Sequence, residues 1–222
     1  MADKPRVKAP KQRSAPVSEG RRTGVWVIVA GVVGLLIGFG VVAAALGFVG
    51  GGSGRTDTVG LRTKLTTAGC TLQVAPALVG VHSITDPSKT SPKWNTDPPT
   101  SGPHYAIPAI FGIYDQQLEM ARVVHNLEHG GIYILYGKAV PARTVDKLRS
   151  FYEGHQTGTI MAPLDRLGDT FALGAWVVDG STHNGFLAKC TNFNNAAVST
   201  FFRSLQFRGP ERFNPSQLQP GM

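Results

Sequence analysis

Three of the chain's six histidines, His104, His125 and His129, fall within 26 residues, and a carboxylate, Glu128, directly precedes the last of them. Imidazoles and carboxylates are the side chains that bind transition metals and move protons. On a helix, residues i, i+3 and i+4 share a face with Cβ atoms about 5–6 Å apart. His125, Glu128 and His129 then reach a single ion. In a strand, i to i+4 spans about 13 Å and Glu128 points to the opposite face. The chemistry therefore requires 125–129 to be helical. Zinc sites use three or four protein ligands, and His104 is the natural third imidazole. Glu128 can serve as a ligand, as an orienter of an imidazole or as a general base. Tyr105 stands beside His104, where its hydroxyl can donate a hydrogen bond to an anion bound at the metal. The expected metal is copper or zinc; Met161 is expected in the core, and only if it turned toward the cluster would its thioether favour copper(I).

The same residues permit two other readings. Histidines at a helix end also cap its carbonyls and interact with its dipole, so the cluster can be a metal-free polar network that ties a loop to a helix. It can also be a metal-independent acid–base site. His125-x-x-Glu128-His129 matches the H-x-x-E-H pattern of inverted zinc peptidases. That chemistry needs a continuing helix and a later acidic ligand. Here Gly130 and Gly131 follow at once, and later helices offer only Glu153 or Asp146. His82, His155 and His183 read as loop residues without a role.

Several elements must position these groups. The run Asp97-Pro98-Pro99-Thr100-Ser101-Gly102-Pro103 excludes helix and central strand, because proline lacks the backbone donor and fixes φ. It is a stiff loop that delivers His104 and Tyr105. Asp115 to Leu127 has helical spacing in Leu118, Ala121 and Val124, with the glycine pair as its stop. Ile132 to Tyr136 is a β-branched and aromatic strand. Pro141 opens a second helix, Ala142 to Glu153. Thr159 to Ala162 and Thr170 to Val178 read as strands, Asp179-Gly180 as a turn, and Asn195 to Leu205 as a last helix with Val198, Phe201, Phe202 and Leu205 on its buried face. Leu72 to Val74 and Leu78 to Val81 read as short strands. Residues 57–222 are thus an α+β domain, a small sheet with two or three packed helices.

The formal charge of +8 does not indicate nucleic acid, because it is unevenly placed: residues 1–24 carry seven Lys/Arg against two acidic residues. A basic tail on a nearly balanced domain suits a membrane surface. Residues 1–24 read as a disordered cytoplasmic tail. Val25 to Val49 holds no charged residue across 25 positions, long enough as a helix to cross a hydrocarbon core of about 30 Å. Trp26 sits where an interfacial aromatic belongs, and the basic flank keeps the N-terminus in the cytoplasm. The run is longer than a signal-peptide core, so an uncleaved single-pass anchor in the lipid bilayer is expected. Gly34 and Gly38 form a small-xxx-small pair that would allow a homodimer. Residues 50–56 are a flexible linker. The domain after it is then extracytoplasmic, where Cys70 and Cys190 can pair. That bridge would close a loop of about 120 residues, a stabilisation of roughly 4–5 kcal/mol on the chain-entropy account.

Ser-Gly-Pro-His-Tyr (101–105), His-Asn-Leu-Glu-His-Gly-Gly (125–131), Ala-Leu-Gly-Ala-Trp (172–176) and Gly-Pro-Glu (209–211) together resemble domain-of-unknown-function family 3105. The resemblance covers residues 57–215. It implies a bacterial envelope protein with one N-terminal membrane helix and supplies no activity, cofactor or catalytic residue. The family's recurring His and Glu positions correspond to His104, His125, Glu128 and His129. The leading expectation is a membrane-anchored extracytoplasmic domain that binds copper or zinc through those four residues. The alternatives are a metal-dependent hydrolase using the same cluster, and an envelope interaction module in which the cluster is structural.

Overall fold

A computed structural model describes residues 55–84 and 93–222. The tail 1–24, the span Val25–Val49 with Gly34 and Gly38, and linker residues 50–54 lie outside the described residues. Among the described residues no helix is long and apolar enough to cross a membrane.

The elements run α1 (Thr58–Thr67), β1 (Cys70–Pro76), β2 (Gly112–Ile113), α2 (Met120–Glu128), β3 (Ile132–Tyr136), α3 (Ala142–Glu153), β4 (Thr159–Pro163), β5 (Phe171–Asp179), β6 (Thr182–Cys190) and α4 (Asn195–Leu205), with 3-10 turns at Asp165–Leu167 and Pro215–Gln217. The strands make one mixed sheet, ordered β1-β6-β5-β3-β4-β2. From β1 to β3 the pairs are antiparallel; β3, β4 and β2 are parallel, with α3 as the crossover between β3 and β4. The α+β class holds. Among the described residues, six strands and four α-helices replace the small sheet with two or three helices that the sequence suggested.

Both faces of the sheet are covered, and the strand period of two assigns each side chain to one of them. Ile132 and Ile134 of β3 pack with α1, α3 and α4, whereas Tyr133 and Leu135 pack with α2. α4 presents Val198, Phe201, Phe202 and Leu205 to the first face, and Asn194 caps its start by accepting from the Ala197 N–H at 3.0 Å. Because Met161 lies in the core on the α3/α4 face, its thioether belongs to that packing. Met161 is thus the core residue that the sequence favours.

Several elements differ from the sequence reading. α1 was missed: it buries only Leu61 and Leu65, and its remaining residues are mostly threonine, glycine and charged. Its start is set by Asp57, which accepts from the Gly60 N–H at 2.9 Å. β6 was missed because Thr182-His183-Asn184-Gly185 reads as turn, yet it pairs with both β1 and β5. Gly185 is needed there, since a Cβ would sit 2.1 Å from the Thr100 hydroxyl of the overlying loop. Leu78 to Val81 forms no strand and crosses the α2 side as irregular chain. α2 also begins at Met120 rather than Asp115, and the Gln117 side chain instead accepts from the Asp165 N–H at 3.0 Å.

Cys70 and Cys190 are joined by a disulfide across the β1–β6 pair.

Candidate metal centre

The loop before His104 is braced throughout. Thr96 and Thr100 share a 2.9 Å hydroxyl hydrogen bond, the Trp94 indole donates to the Pro103 carbonyl at 3.1 Å, and Ser101 Oγ accepts from the Leu78 N–H at 3.0 Å. Gly102 takes φ of +111°, a conformation that favours glycine. The result is a fully buried His104 whose Nδ1 donates to the Gly102 carbonyl at 2.8 Å.

Two neighbours meet it. The His104 N–H donates to the Val81 carbonyl at 3.0 Å, and the Ile84 N–H to the His104 carbonyl at 3.4 Å. This short pairing sets His82 against His104. From the other side comes the last turn of α2. It is moored by Asn126, whose side chain exchanges two hydrogen bonds with the Ala109 backbone at 2.7 and 3.0 Å. His125 projects from this turn, its Nδ1 donating to the Tyr105 carbonyl at 2.7 Å. Tyr105 thus acts on the site through its backbone, while its ring lies under the Arg122 guanidinium at 5.0 Å.

The three imidazoles of His82, His104 and His125 form a triangle with every centroid separation 4.8 Å. Glu128 joins them: its Oε2 is 3.0 Å from His104 Nε2 and 3.6 Å from His82 Nε2. One ligand atom from each of the four residues lies within 4.8 Å of all the others. Donors about 2.0–2.1 Å from a tetrahedral zinc are themselves about 3.3 Å apart, so small side-chain adjustments suffice. His104 Nε2 and Glu128 Oε2 are both buried. They face each other at 3.0 Å and have no further hydrogen-bond partner, so each relies on the other, or on a shared cation, to offset its burial.

Gly80 makes room for this arrangement. A Cβ there would lie 2.3 Å from Glu128 Oε1 and 2.9 Å from the Trp176 ring. The segment carrying His82 can approach the carboxylate only without a side chain at 80.

His129 stands elsewhere. As C-cap of α2 it turns away from His104 and pairs through Nε2 with Glu211 Oε2 at 3.2 Å. With His125 these make a second group of potential ligand atoms within 4.8 Å of one another. The expected shared point for His104, His125 and His129 is thus replaced by two adjoining groups with His125 common to both. His82 and Glu211 are the residues that sequence reasoning passed over. Only Glu211 carried a signal, as the end of the Gly-Pro-Glu block. Glu153 and Asp146, the acidic ligands a peptidase reading would need, sit on α3, on the other face of the sheet from α2. His155 also lies there, stacked on Phe151 beside a groove of about 380 Å³ lined by Asp146, Lys147 and Phe193. His183 is exposed on β6.

Electrostatics separate the groups. Burial acts to lower the His104 pKa, but Glu128 and the Gly102 carbonyl outweigh it and hold the imidazole above its ordinary value. Burial acts to raise Glu128, and His104 overrides it, so the carboxyl stays below its ordinary value. His125 is lowered, chiefly by burial and then by the neighbouring His104 and His82 charges, against the pull of the Tyr105 carbonyl. His129 is lowered mainly by burial and by His125. In the neutral range His125 and His129 are therefore unprotonated donors, as metal ligation requires.

A family model described as "Protein of unknown function (DUF3105)" matches residues 87–217, a span that includes His104, His125, Glu128, His129 and Glu211 but not His82. No curated protein and no solved structure matches the chain.

Proposed function

We propose that this chain, which belongs to the DUF3105 family of proteins of unknown function, holds one transition-metal ion, zinc or copper, between His82, His104, His125 and Glu128. The observation that carries the reading is the commitment of Nδ1 in His104 and His125 to backbone carbonyls. A carbonyl can only accept, so each ring carries its proton on Nδ1 and keeps the Nε2 lone pair for a metal, the orienting arrangement found around metal-ligating histidines. Three imidazole nitrogens and one carboxylate oxygen suit zinc or copper(II), while calcium and magnesium favour all-oxygen sites.

Four protein ligands complete a tetrahedral shell without leaving the open position that a catalytic zinc keeps. The role is then holding and handling the metal. A hydrolase reading requires Glu128 to leave the ion and act as base. The charge-free run 25–49 and its basic flank support placement of the domain outside the cytoplasmic membrane, and the Cys70–Cys190 disulfide agrees with an oxidising compartment.

The test uses the full chain purified in detergent and stripped of metal, titrated with zinc or copper(II) against a competing chelator. One ion per chain is expected. His82, whose side chain is 47% exposed, can be replaced without disturbing the core. His82→Ala should lower affinity by at least about 100-fold, beyond the roughly 10–100-fold typical of residues that only orient a ligand. His104→Ala and His125→Ala should abolish binding. Absence of binding in the wild type, or an unchanged affinity in all three variants, removes the reading.

A further inference from the structure

We propose that His129 and Glu211 form an outer metal site that shares His125 with the inner one and passes the ion to it. This rests on the metal reading of the inner cluster. Glu211 is 45% exposed and His129 12%; of the inner group only His82, at 47%, reaches solvent, while His104 is fully enclosed and Glu128 10% exposed. His82 stands alone in front of enclosed partners, so the outer pair is where an ion arriving from solvent meets two ligands together.

The outer pair is held in place by its surroundings. The Phe207 N–H donates to the Gly130 carbonyl at 2.8 Å and the Glu211 N–H to the Glu128 carbonyl at 3.0 Å, so the C-terminal segment is clamped across the end of α2. Between these clamps Gly209 leaves no room for a side chain: a Cβ would lie 2.2 Å from the Glu128 carbonyl oxygen and 2.3 Å from the Gly130 nitrogen. Phe213 covers the His129 ring at 4.1 Å. The His125 and His129 rings are 4.5 Å apart, as close as the rings within the inner triangle.

His125 makes the two groups exclusive. Its Nδ1 is committed to the Tyr105 carbonyl, so Nε2 is the one nitrogen it can give, to either group but not to both. The chain then holds one ion, which moves inward as His125 Nε2 stays bound while His129 and Glu211 are exchanged for His82, His104 and Glu128. The outer group has three protein ligands and access to water; the inner has four, of which only His82 is strongly exposed, so the ion comes to rest inside.

The test follows zinc alone, loaded into the stripped full chain in a stopped-flow instrument and withdrawn by excess chelator. An outer station concentrates the ion on its path, and local focusing of this kind raises association rates by about 10–10³. His129→Gln, which leaves the neutral-form charge unaltered, should slow loading and release alike by about tenfold or more while Kd moves by less than about twofold. Glu211→Gln should act in the same direction. Unchanged rates in His129→Gln, with slowing confined to Glu211→Gln, would mean simple charge steering and overturn the station. So would a second zinc of similar affinity, or a loss of affinity in His129→Gln equal to that in His104→Ala. A wild-type chain that takes up no zinc overturns the inner site as well, which separates the two failures.

Discussion

His104 and Glu128 oppose each other in what burial does to them and agree in what their pairing does. In the metal-free protein this gives a specific pH dependence. His104 is raised above its ordinary 6.5, so its contribution to stability is full below that value and is lost as pH rises through its folded pKa. Glu128 is lowered below its ordinary 4.5, so its contribution is full above that value and is lost as pH falls through its folded pKa. The pair should therefore stabilise the metal-free fold most between pH 4.5 and 6.5. Chemical denaturation across pH, wild type against Glu128→Gln, should show the stability difference largest in that window and shrinking on both sides. A difference flat from pH 3 to 9 would show that the two groups are uncoupled. Metal affinity has the opposite preference. Because His104 holds its proton beyond its ordinary range, zinc affinity should still be climbing above pH 6.5.

At the scale of elements, the site depends on glycines that let three chain segments converge on the end of α2. Gly80 admits the His82 segment to the carboxylate, and Gly209 admits the C-terminal segment to the helix end. Gly209→Ala forces a methyl group into backbone atoms on both sides. Overpacking of this kind costs about 1–3 kcal/mol, which urea denaturation should read directly. Gly80→Ala meets a carboxylate oxygen and a ring instead, so it should separate His82 from Glu128 and weaken metal binding by more than it lowers stability. Equal stability in Gly209→Ala and wild type would mean that the Glu211 segment is not clamped as described. The convergence also explains the limits of pattern reading. His125 and Glu128 were legible as one helical face because the 3.6-residue period is local. His82 was not, because its place depends on a two-bond pairing with His104 across 22 residues of chain.

For the whole molecule, the disulfide and the proposed anchor concern the same compartment. Cys70 and Cys190 are 120 residues apart in sequence. Closing that loop restricts the unfolded chain, and the Cys70→Ser/Cys190→Ser double variant should lose about 4–5 kcal/mol on the entropic account. The bond already has its partners aligned by the β1–β6 register, so its loss should lower stability without changing the fold, as circular dichroism can check. Topology has its own test. A reporter fused through a linker after Met222 should be active only outside the cytoplasm, and activity inside would overturn the proposed orientation.

Local sequence settled whatever depends on a short period or a fixed dihedral: β3, α3 and α4 with their boundaries, the proline-braced loop, the turn at Asp179-Gly180, and the helical face that pairs His125 with Glu128. It also supplied both cysteines. Tertiary structure alone decided which imidazoles meet. Whether His129 or His82 faces His104 depends on how the end of α2 is capped and on where a strandless segment crosses it. Neither leaves a periodic mark, because each rests on hydrogen bonds between residues far apart in the chain. The same holds for α1 and β6, weak in their own residues and made stable by the layers packed against them.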